Sequence, residues 1–255
     1  NLIGAILFMY ALNKFAMRQP NPWLALIIAF PYIIVVLGMA FARQAFAFSF
    51  IILAIISLSD ERKKSFIFFI ACASLFHISA CFMILLLFLS DYRMKPTIIF
   101  MVLFGITVFF IMNYSRFTHL YFIYIGEGQH MDSLGIWFRF ALNCFASIIF
   151  LRYSNLLTQN LTERKIYKWL SIFTILILPI AFISTTFVDR MIIYFMPVQL
   201  FVFSRINLLT SKVFLKRLLE SSVFCTYGVV LFVWLEFAWS AAAWVPYRMF
   251  FNNLN

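Results

Sequence analysis

The chain has 255 residues, of which 65% are hydrophobic and 11% are charged, and its formal net charge is +11. Soluble domains carry about 25% charged residues, so this composition excludes a water-soluble domain. The basic residues lie in short groups between apolar stretches. That distribution is typical of membrane anchoring and argues against nucleic acid as a partner.

Apolar stretches close to the roughly 17–25 residues that cross a bilayer recur along the chain. In chain order they cover 1–12, 23–40, 41–58, 66–89, 97–112, 135–151, 169–187, 190–204 and 221–240. This series predicts an all-α, polytopic membrane bundle of about 8–10 segments that forms one domain over residues 1–255. Because the chain opens with Asn1 inside an apolar run, we expect the full protein to have a further N-terminal part.

Fifteen of the twenty Lys and Arg residues form five basic clusters, which include every lysine of the chain. The clusters are Lys14/Arg18, Arg62/Lys63/Lys64, Arg93/Lys95, Arg152/Arg164/Lys165/Lys168 and Arg205/Lys212/Lys216/Arg217. Basic residues beside membrane segments favour the cytoplasmic side. The five remaining basic residues are all arginines at or near the ends of apolar segments, namely Arg43, Arg116, Arg139, Arg190 and Arg248.

The five basic clusters do not share one side if every predicted segment crosses once, because 60–64 and 152–168 then lie on opposite sides. Two alternatives restore a common side. Residues 66–89 form a re-entrant pair that turns back near His77, or 114–125 form an additional short crossing. The first alternative accounts for one more basic cluster, so we prefer it. It leaves the five arginines on the outer side.

Arg43 and Gln44 begin a predicted helix. Unpaired N–H groups and the dipole at a helix start favour an anion, and the planar guanidinium fork fits phosphate. The alternative is an interfacial arginine whose side chain extends to the lipid headgroups.

His77 lies near the middle of the apolar run 66–89. An ionisable residue at that depth faces the bundle interior or a water-filled cavity. It is either a core histidine bonded to Ser74 or Ser79, or a general base or substrate-binding group. No carboxylate or cysteine is spaced to complete a ligand set with a histidine, so we expect no metal and no cofactor.

Arg190 and Tyr194 are four residues apart and share one face of a predicted helix, which suits a phosphate or a sugar hydroxyl. The alternative is that Asp189 and Arg190 neutralise each other. Near the chain end, Tyr247 and Arg248 form either an interfacial anchor or the rim of a binding site.

Arg116 and Arg139 are weaker candidates, because their predicted sidedness is the one property that favours them. Considered together, five arginines without a lysine are poorly explained by anchoring, since lysine also extends to the headgroups.

Four motifs follow each other in order: Arg43-Gln44-Ala45, Ala73-Ser74-Leu75-Phe76-His77 with Ser79-Ala80, Arg190 with Tyr194-Phe195, and Pro246-Tyr247-Arg248. Together they resemble the EpsG-type branch of the Wzy polysaccharide polymerases, along most of the chain. The first two motifs are the most specific.

The resemblance implies a membrane glycosyltransferase at the outer face of the bacterial cytoplasmic membrane. It would move a growing glycan from undecaprenyl pyrophosphate to the non-reducing end of a lipid-linked repeat unit. The implied catalytic residues are His77, Arg43 and Arg190. The resemblance and the residues singled out above together predict the substrate-binding residues, which are Gln44, Arg116, Arg139, Asp189, Tyr194, Tyr247 and Arg248. The implied partners are the lipid-linked oligosaccharides, membrane lipids and a chain-length regulator protein.

Two other functions remain open at this point. A membrane acyltransferase would also use a buried histidine, but would require an acidic or Asn partner for it. A flippase or transporter of an anionic lipid-linked glycan would also use outer arginines, but such proteins usually contain two matching halves.

Overall fold

The computed structural model describes residues 2–90 and 135–237, together with scattered positions between 97 and 118 and residue 241. We number the α-helices of the two long ranges α1 (Leu2–Ala16), α2 (Pro22–Ala29), α3 (Ala42–Ser59), α4 (Lys63–Phe76), α5 (Leu85–Ser90), α6 (Ile136–Leu157), α7 (Leu161–Leu176), α8 (Leu178–Ala181), α9 (Thr185–Ile192), α10 (Pro197–Phe203) and α11 (Val213–Phe237). A π-helix covers Phe30–Gly38, and 3-10 helices cover Ile78–Ile84, Ile193–Phe195 and Ile206–Leu209. No strand occurs in the described residues, so the predicted all-α class is confirmed.

Three described helices, α3, α6 and α11, are long and apolar enough to cross a membrane. The pair Thr185–Phe195 and Pro197–Phe203, bent by 47°, makes a fourth span if its two halves are counted together. Leu2–Ala16, Pro22–Gly38 and Ile78–Ser90 are shorter apolar helices. The predicted helical membrane bundle is therefore confirmed, while the predicted segment 97–112 lies largely outside the described residues.

Several predicted segments are interrupted at prolines, which remove a backbone donor and clash with the preceding turn. Pro31 lies in the first turn of the π-helix, Pro179 in the short helix α8, and Pro197 begins α10. Other helix starts are capped by side chains. Asn160 accepts from the backbone N–H groups of the first turn of α7, and Ser184 does the same for α9.

Helix α3 lies at the centre of the bundle, and 78% of its 18-residue apolar stretch is buried. A cluster of aromatic rings joins α6, α7 and α10. There, the ring of Tyr167 stacks on Phe201 at 3.7 Å between centroids, and the ring of Phe150 lies 6.0 Å from both. In contrast, only 11% of the 18-residue apolar stretch within α11 is buried, so this helix lies at the periphery.

One end of the bundle, which we call the basic end, collects the turns α1–α2, α3–α4, α6–α7 and α10–α11. Arg18 donates to both carboxylate oxygens of Asp60, at 2.7 and 2.8 Å. The hydroxyl of Thr162 donates to Glu61 Oε1 at 3.1 Å, which connects the α3–α4 turn to the start of α7. These bonds place the basic residues around 14–18, 62–64 and 164–165 at one end of the molecule.

Arg205 completes the basic end from within the bundle, where it is only 8% exposed. It donates to Gln19 Oε1 at 2.9 Å, to the Leu157 carbonyl at 3.0 Å and to Glu163 at 3.3 Å. Four of the five basic clusters thus share this end. The remaining cluster, Arg93/Lys95, lies outside the described residues.

The chain reverses direction at His77. This residue ends α4 in an extended conformation (φ −147°, ψ 113°), and the 3-10 helix Ile78–Ile84 follows. Phe82 packs against Phe173, with ring centroids 5.2 Å apart, and the Leu89 carbonyl accepts from Trp169 Nε1 at 3.0 Å.

The order of these two pairings gives the direction of the returning segment. Because α7 begins at the basic end, a chain that meets Phe173 first and Trp169 later runs back toward that end. This is the geometry of the re-entrant alternative. Residues 114–125 of the other alternative lie almost entirely outside the described part of the chain.

The Arg18–Asp60 pair generates a prediction about acid stability. Arg18, with Arg62 adding to its effect, holds the pKa of Asp60 below its usual value. The stabilisation is therefore complete above the unfolded-state pKa of about 4, and it is lost as the pH falls through the lower folded-state pKa. We expect Asp60→Asn to lower the free energy of unfolding by about 0.5–1 kcal/mol at neutral pH, and to have no effect once Asp60 is protonated.

The free energy of unfolding of both proteins is measured in detergent at neutral and at acid pH. Glu236→Gln, at an exposed position of α11, is the control, and an equal loss from Asp60→Asn at both pH values would contradict the prediction.

Candidate functional site

The candidate site is built around the imidazole ring of His77, at the tip of the re-entrant segment. The Gln44 amide nitrogen lies 3.3 Å from His77 Nε2. On the other side of the ring, Ser79 Oγ lies 2.7 Å and the Tyr194 hydroxyl 2.8 Å from Nδ1. Three elements meet here, because Gln44 belongs to the first turn of α3 and Tyr194 to the 3-10 turn after α9. Ser74, the other predicted partner, donates instead to the Ile70 carbonyl.

The Gln44 contact predicts which ring nitrogen of His77 is the acceptor. With the amide nitrogen of Gln44 facing the ring, Nε2 must accept, so the proton of a neutral imidazole lies on Nδ1. There it is donated to a hydroxyl oxygen of Ser79 or Tyr194. The contacts therefore predict one tautomer for His77, with two hydroxyls at Nδ1 and the basic nitrogen directed toward the start of α3.

Two of the predicted arginines are near enough for their charges to act on this ring. Arg43 precedes Gln44 at the exposed start of α3, and Arg190 lies in the last turn of α9, half-buried. The positive charges of Arg190 and Arg43 both act on the imidazole of His77. The start of α3 and the turn after α9 are both opposite the basic end, and we call this region the arginine end. The structure thus brings together Arg43, Gln44, His77, Arg190 and Tyr194.

Arg139 and Asp189 form a separate pair at the same end. Nε and Nη2 of Arg139, from the first turn of α6, both donate to Asp189 Oδ1, and the Nε bond measures 3.0 Å. The guanidinium of Arg139 also lies over the ring of Tyr32, 4.7 Å from its centroid. This pair joins the π-helix, α6 and α9. Since Asp189 is adjacent to Arg190, it also fixes the helix that carries Arg190 and leads to Tyr194.

Three predicted site residues, Arg116, Tyr247 and Arg248, lie outside the described residues. Conversely, Tyr32 and Gln199 were not predicted. Both are polar side chains inside apolar segments, and such residues usually face a bundle interior or a cavity. That signal could have identified them in the sequence.

No group of three or more His, Cys, Asp or Glu side chains that could hold a metal ion occurs in the described ranges. The ring of His77 instead contacts an amide and two hydroxyls, which are groups that orient it and exchange protons. The arrangement can bind an anion with guanidinium groups and accept a proton beside it.

A sequence model of the EpsG family matches residues 1–249 of the chain. No curated protein and no solved structure matches the chain.

The ring geometry predicts a specific tautomer of His77. In a protein whose other histidines are replaced (His119→Gln, His130→Gln), we expect ¹⁵N NMR at alkaline pH to show a protonated Nδ1 and an unprotonated Nε2. Gln44→Glu places a carboxylate acceptor at Nε2 and should reverse the two signals.

Ser74→Ala, which removes a hydroxyl that bonds elsewhere, should leave the spectrum unchanged. A proton on Nε2 in the protein with Gln44 would show that the amide presents its oxygen to the ring, and that the basic nitrogen is Nδ1.

Proposed function

Since the chain belongs to the EpsG family and is therefore a polysaccharide-polymerase-like membrane protein, we propose that it extends a glycan at the outer face of the bacterial cytoplasmic membrane. The donor is a growing glycan on a polyprenyl diphosphate such as undecaprenyl pyrophosphate. The acceptor is the non-reducing end of a lipid-linked repeat unit. The observation that carries the proposal is the contact of Tyr194 and Gln44 with His77, on which the charges of Arg43 and Arg190 also act, at the end opposite the basic clusters.

In this reaction the bond between the anomeric carbon of the donor and its diphosphate oxygen breaks, and the electron pair stays on the diphosphate. Arg43 and Arg190 supply fixed positive charge for that developing negative charge. A guanidinium presents two parallel N–H donors to phosphate oxygens, which a lysine does not. The start of α3 adds unpaired backbone N–H groups on the same side.

The acceptor hydroxyl loses its proton as its oxygen bonds to the anomeric carbon. His77 Nε2 is the proposed proton acceptor, and the substrate hydroxyl takes the place of the Gln44 amide at that nitrogen. Ser79 and Tyr194 hold Nδ1, so the ring keeps its orientation while it becomes charged. This is the usual logic of a catalytic base oriented by a further group.

The remaining predicted contacts have supporting roles in the proposal. Gln44, displaced from Nε2, contacts the sugar next to the reacting bond. Tyr194 is fully buried and acts on the substrate through the orientation of His77, while Asp189 and Arg139 shape the wall formed by α9. Arg116, Tyr247 and Arg248 are proposed as further substrate contacts. A chain-length regulator is the proposed protein partner.

Orientation follows from charge in the same proposal. Basic residues are retained on the cytoplasmic side of bacterial inner-membrane proteins, and four basic clusters share one end here. The arginine end would then face outward, where flipped lipid-linked repeat units are found.

The catalytic assignment predicts that site variants lose polymer formation but keep normal protein levels. We expect His77→Ala to reduce polymer formation at least about 100-fold, because a positioned base contributes about 10²–10⁴-fold. Arg43→Lys should lower it about 100-fold or more, since it removes the fork that fits a phosphate. Cells carrying either variant should accumulate single repeat units on their lipid carrier, at normal protein levels.

Arg152→Lys, at an exposed arginine of the basic end, is the matched control and should keep normal polymer. Long-chain glycan in both site variants would remove these residues from the mechanism. Repeat units trapped on the cytoplasmic side would instead support the flippase alternative.

The orientation is tested by labelling single cysteines in a cysteine-free background, after Cys72, Cys81, Cys144 and Cys225 are replaced. A membrane-impermeant maleimide added to intact cells should label Arg43→Cys and should reach Lys64→Cys only after permeabilisation. Both positions are exposed in the structure, so differences in labelling report sidedness. The opposite pattern would place the site in the cytoplasm and exclude the proposed reaction.

A further inference from the structure

A narrow crevice lies between the π-helix, α6, α10 and α11. Its volume is about 30 Å³, which is room for about two water molecules. Although the surrounding segments are apolar, four of the side chains that line the crevice are polar or charged: Tyr32, Arg139, Gln199 and Tyr227. Small polar cavities in proteins hold ordered water, whereas apolar cavities stay dry.

One polar group of the crevice has a donor without a partner. Gln199 is 5% exposed, and its Oε1 accepts from the Tyr227 hydroxyl at 2.6 Å. Its Nε2 has no hydrogen-bond partner in the described part of the chain. A buried amide N–H without a partner is costly, so this donor indicates an occupant that supplies an oxygen. The opposite orientation of the amide would leave an unpaired oxygen instead, which a water molecule satisfies equally well.

The size and charge of the crevice favour water over other occupants that contain oxygen. A phosphate group or a sugar ring exceeds the volume. An anion would need uncompensated positive charge, but the guanidinium of Arg139 already donates to the Asp189 carboxylate at 3.0 Å. A water molecule is neutral, accepts from Gln199, and donates to the phenol oxygens of Tyr32 and Tyr227.

The crevice lies where α11 has little apolar packing to hold it. Most of this helix is exposed, and Val223 and Tyr227 are its buried residues. Packing of apolar side chains against other helices gains little inside lipid, so hydrogen bonds between helices contribute to their association. Tyr227 therefore connects α11 to the bundle at the position where the crevice offers further hydrogen bonds.

We propose that the crevice binds about two water molecules, which join α11 to the π-helix inside the bundle. One water molecule accepts from Gln199 Nε2, and the pair bridges the hydroxyl of Tyr227 on α11 to that of Tyr32 on the π-helix. Helix α11 is thus attached by a hydrated polar contact in addition to its few buried side chains. The inference is independent of the proposed function, because no substrate takes part in it.

The test is hydroxyl-radical footprinting of the full chain in nanodiscs, in which X-rays split water and the radicals oxidise the side chains that touch it. Met196 and Tyr227 line the crevice and are only 3% and 5% exposed. Met83 and Tyr167 are buried elsewhere in the bundle, at 1% and 2% exposure. We expect the crevice residues to be oxidised at least about tenfold faster than these counterparts, because water stays bound at a buried polar site. Equal rates within each pair would overturn the proposal.

Two variants test whether the crevice and its amide hold the water. Gln199→Leu removes the unpaired amide at similar volume, and Leu142→Phe fills the crevice from α6. Each should lower the oxidation rate of Met196 at least about fivefold, because a water molecule that loses a buried hydrogen bond or its space is released. The matched controls are Gln159→Leu and Leu151→Phe, at exposed positions, which should leave the rate unchanged. Unaltered oxidation in both crevice variants would contradict the assignment.

Amide hydrogen exchange measures the attachment of α11. Leu142→Phe expels the water but keeps the direct bond between Tyr227 and Gln199, so it isolates the contribution of the water. We expect exchange around Tyr227 to become at least about fivefold faster in this variant, because local opening of the helix loses fewer hydrogen bonds, and to stay as in the native chain in Leu151→Phe. Native exchange rates in Leu142→Phe would show that the water does not hold α11.

Discussion

The hydrogen bonds of His77 are the interaction on which the site depends. A polar ring inside an apolar bundle must be paired, because an unsatisfied group there is costly. Gln44, Ser79 and Tyr194 provide these bonds from three different elements. The same contacts therefore hold the tip of the re-entrant segment against α3 and the turn after α9. The hydrogen bonds that fix the reversal of the chain are thus the same ones that place the proposed base.

Charge is distributed differently at the two ends of the bundle. At the basic end the acids are used to connect turns: Asp60 binds Arg18, Glu61 accepts from Thr162, and Glu163 accepts from Arg205. The other lysines and arginines there are exposed or half-buried, as expected for an anchoring face. At the arginine end, the charges of Arg43 and Arg190 act together on the ring of His77. In the described part of the chain, the arginine end thus directs its charge toward a half-buried imidazole, whereas the basic end uses its acids to connect turns.

The sequence was sufficient for those features that depend on local composition. Apolar length predicts helices, and the spacing of basic residues predicts the shared end that four basic clusters occupy. The depth of His77 predicts a position inside the bundle, where the structure shows it half-buried. The contacts between distant helices could not be predicted, because they depend on the register of packed elements. Asp189 pairs with Arg139, fifty positions away in the chain, and no local pattern specifies that. The π-helix at Phe30–Gly38 places Tyr32 under Arg139, and a helix of ordinary pitch was expected there.

Arginine has more than one role in this fold, and Arg205 is an example from inside a basic cluster. It belongs to a basic cluster, yet it is buried, stacks on Phe201 at 3.8 Å and donates to three acceptors. Arginine is therefore also used in this fold as a packing element, because its flat fork satisfies several acceptors at once. Arg139 resembles Arg205, since it combines an ion pair with an aromatic contact, whereas Arg43 lies exposed at a helix start beside the ring of His77. A lysine could replace neither of these two arginines, for two different reasons. At Arg139 the reason is stacking and forked pairing, and at Arg43 it is the phosphate geometry of the proposed role.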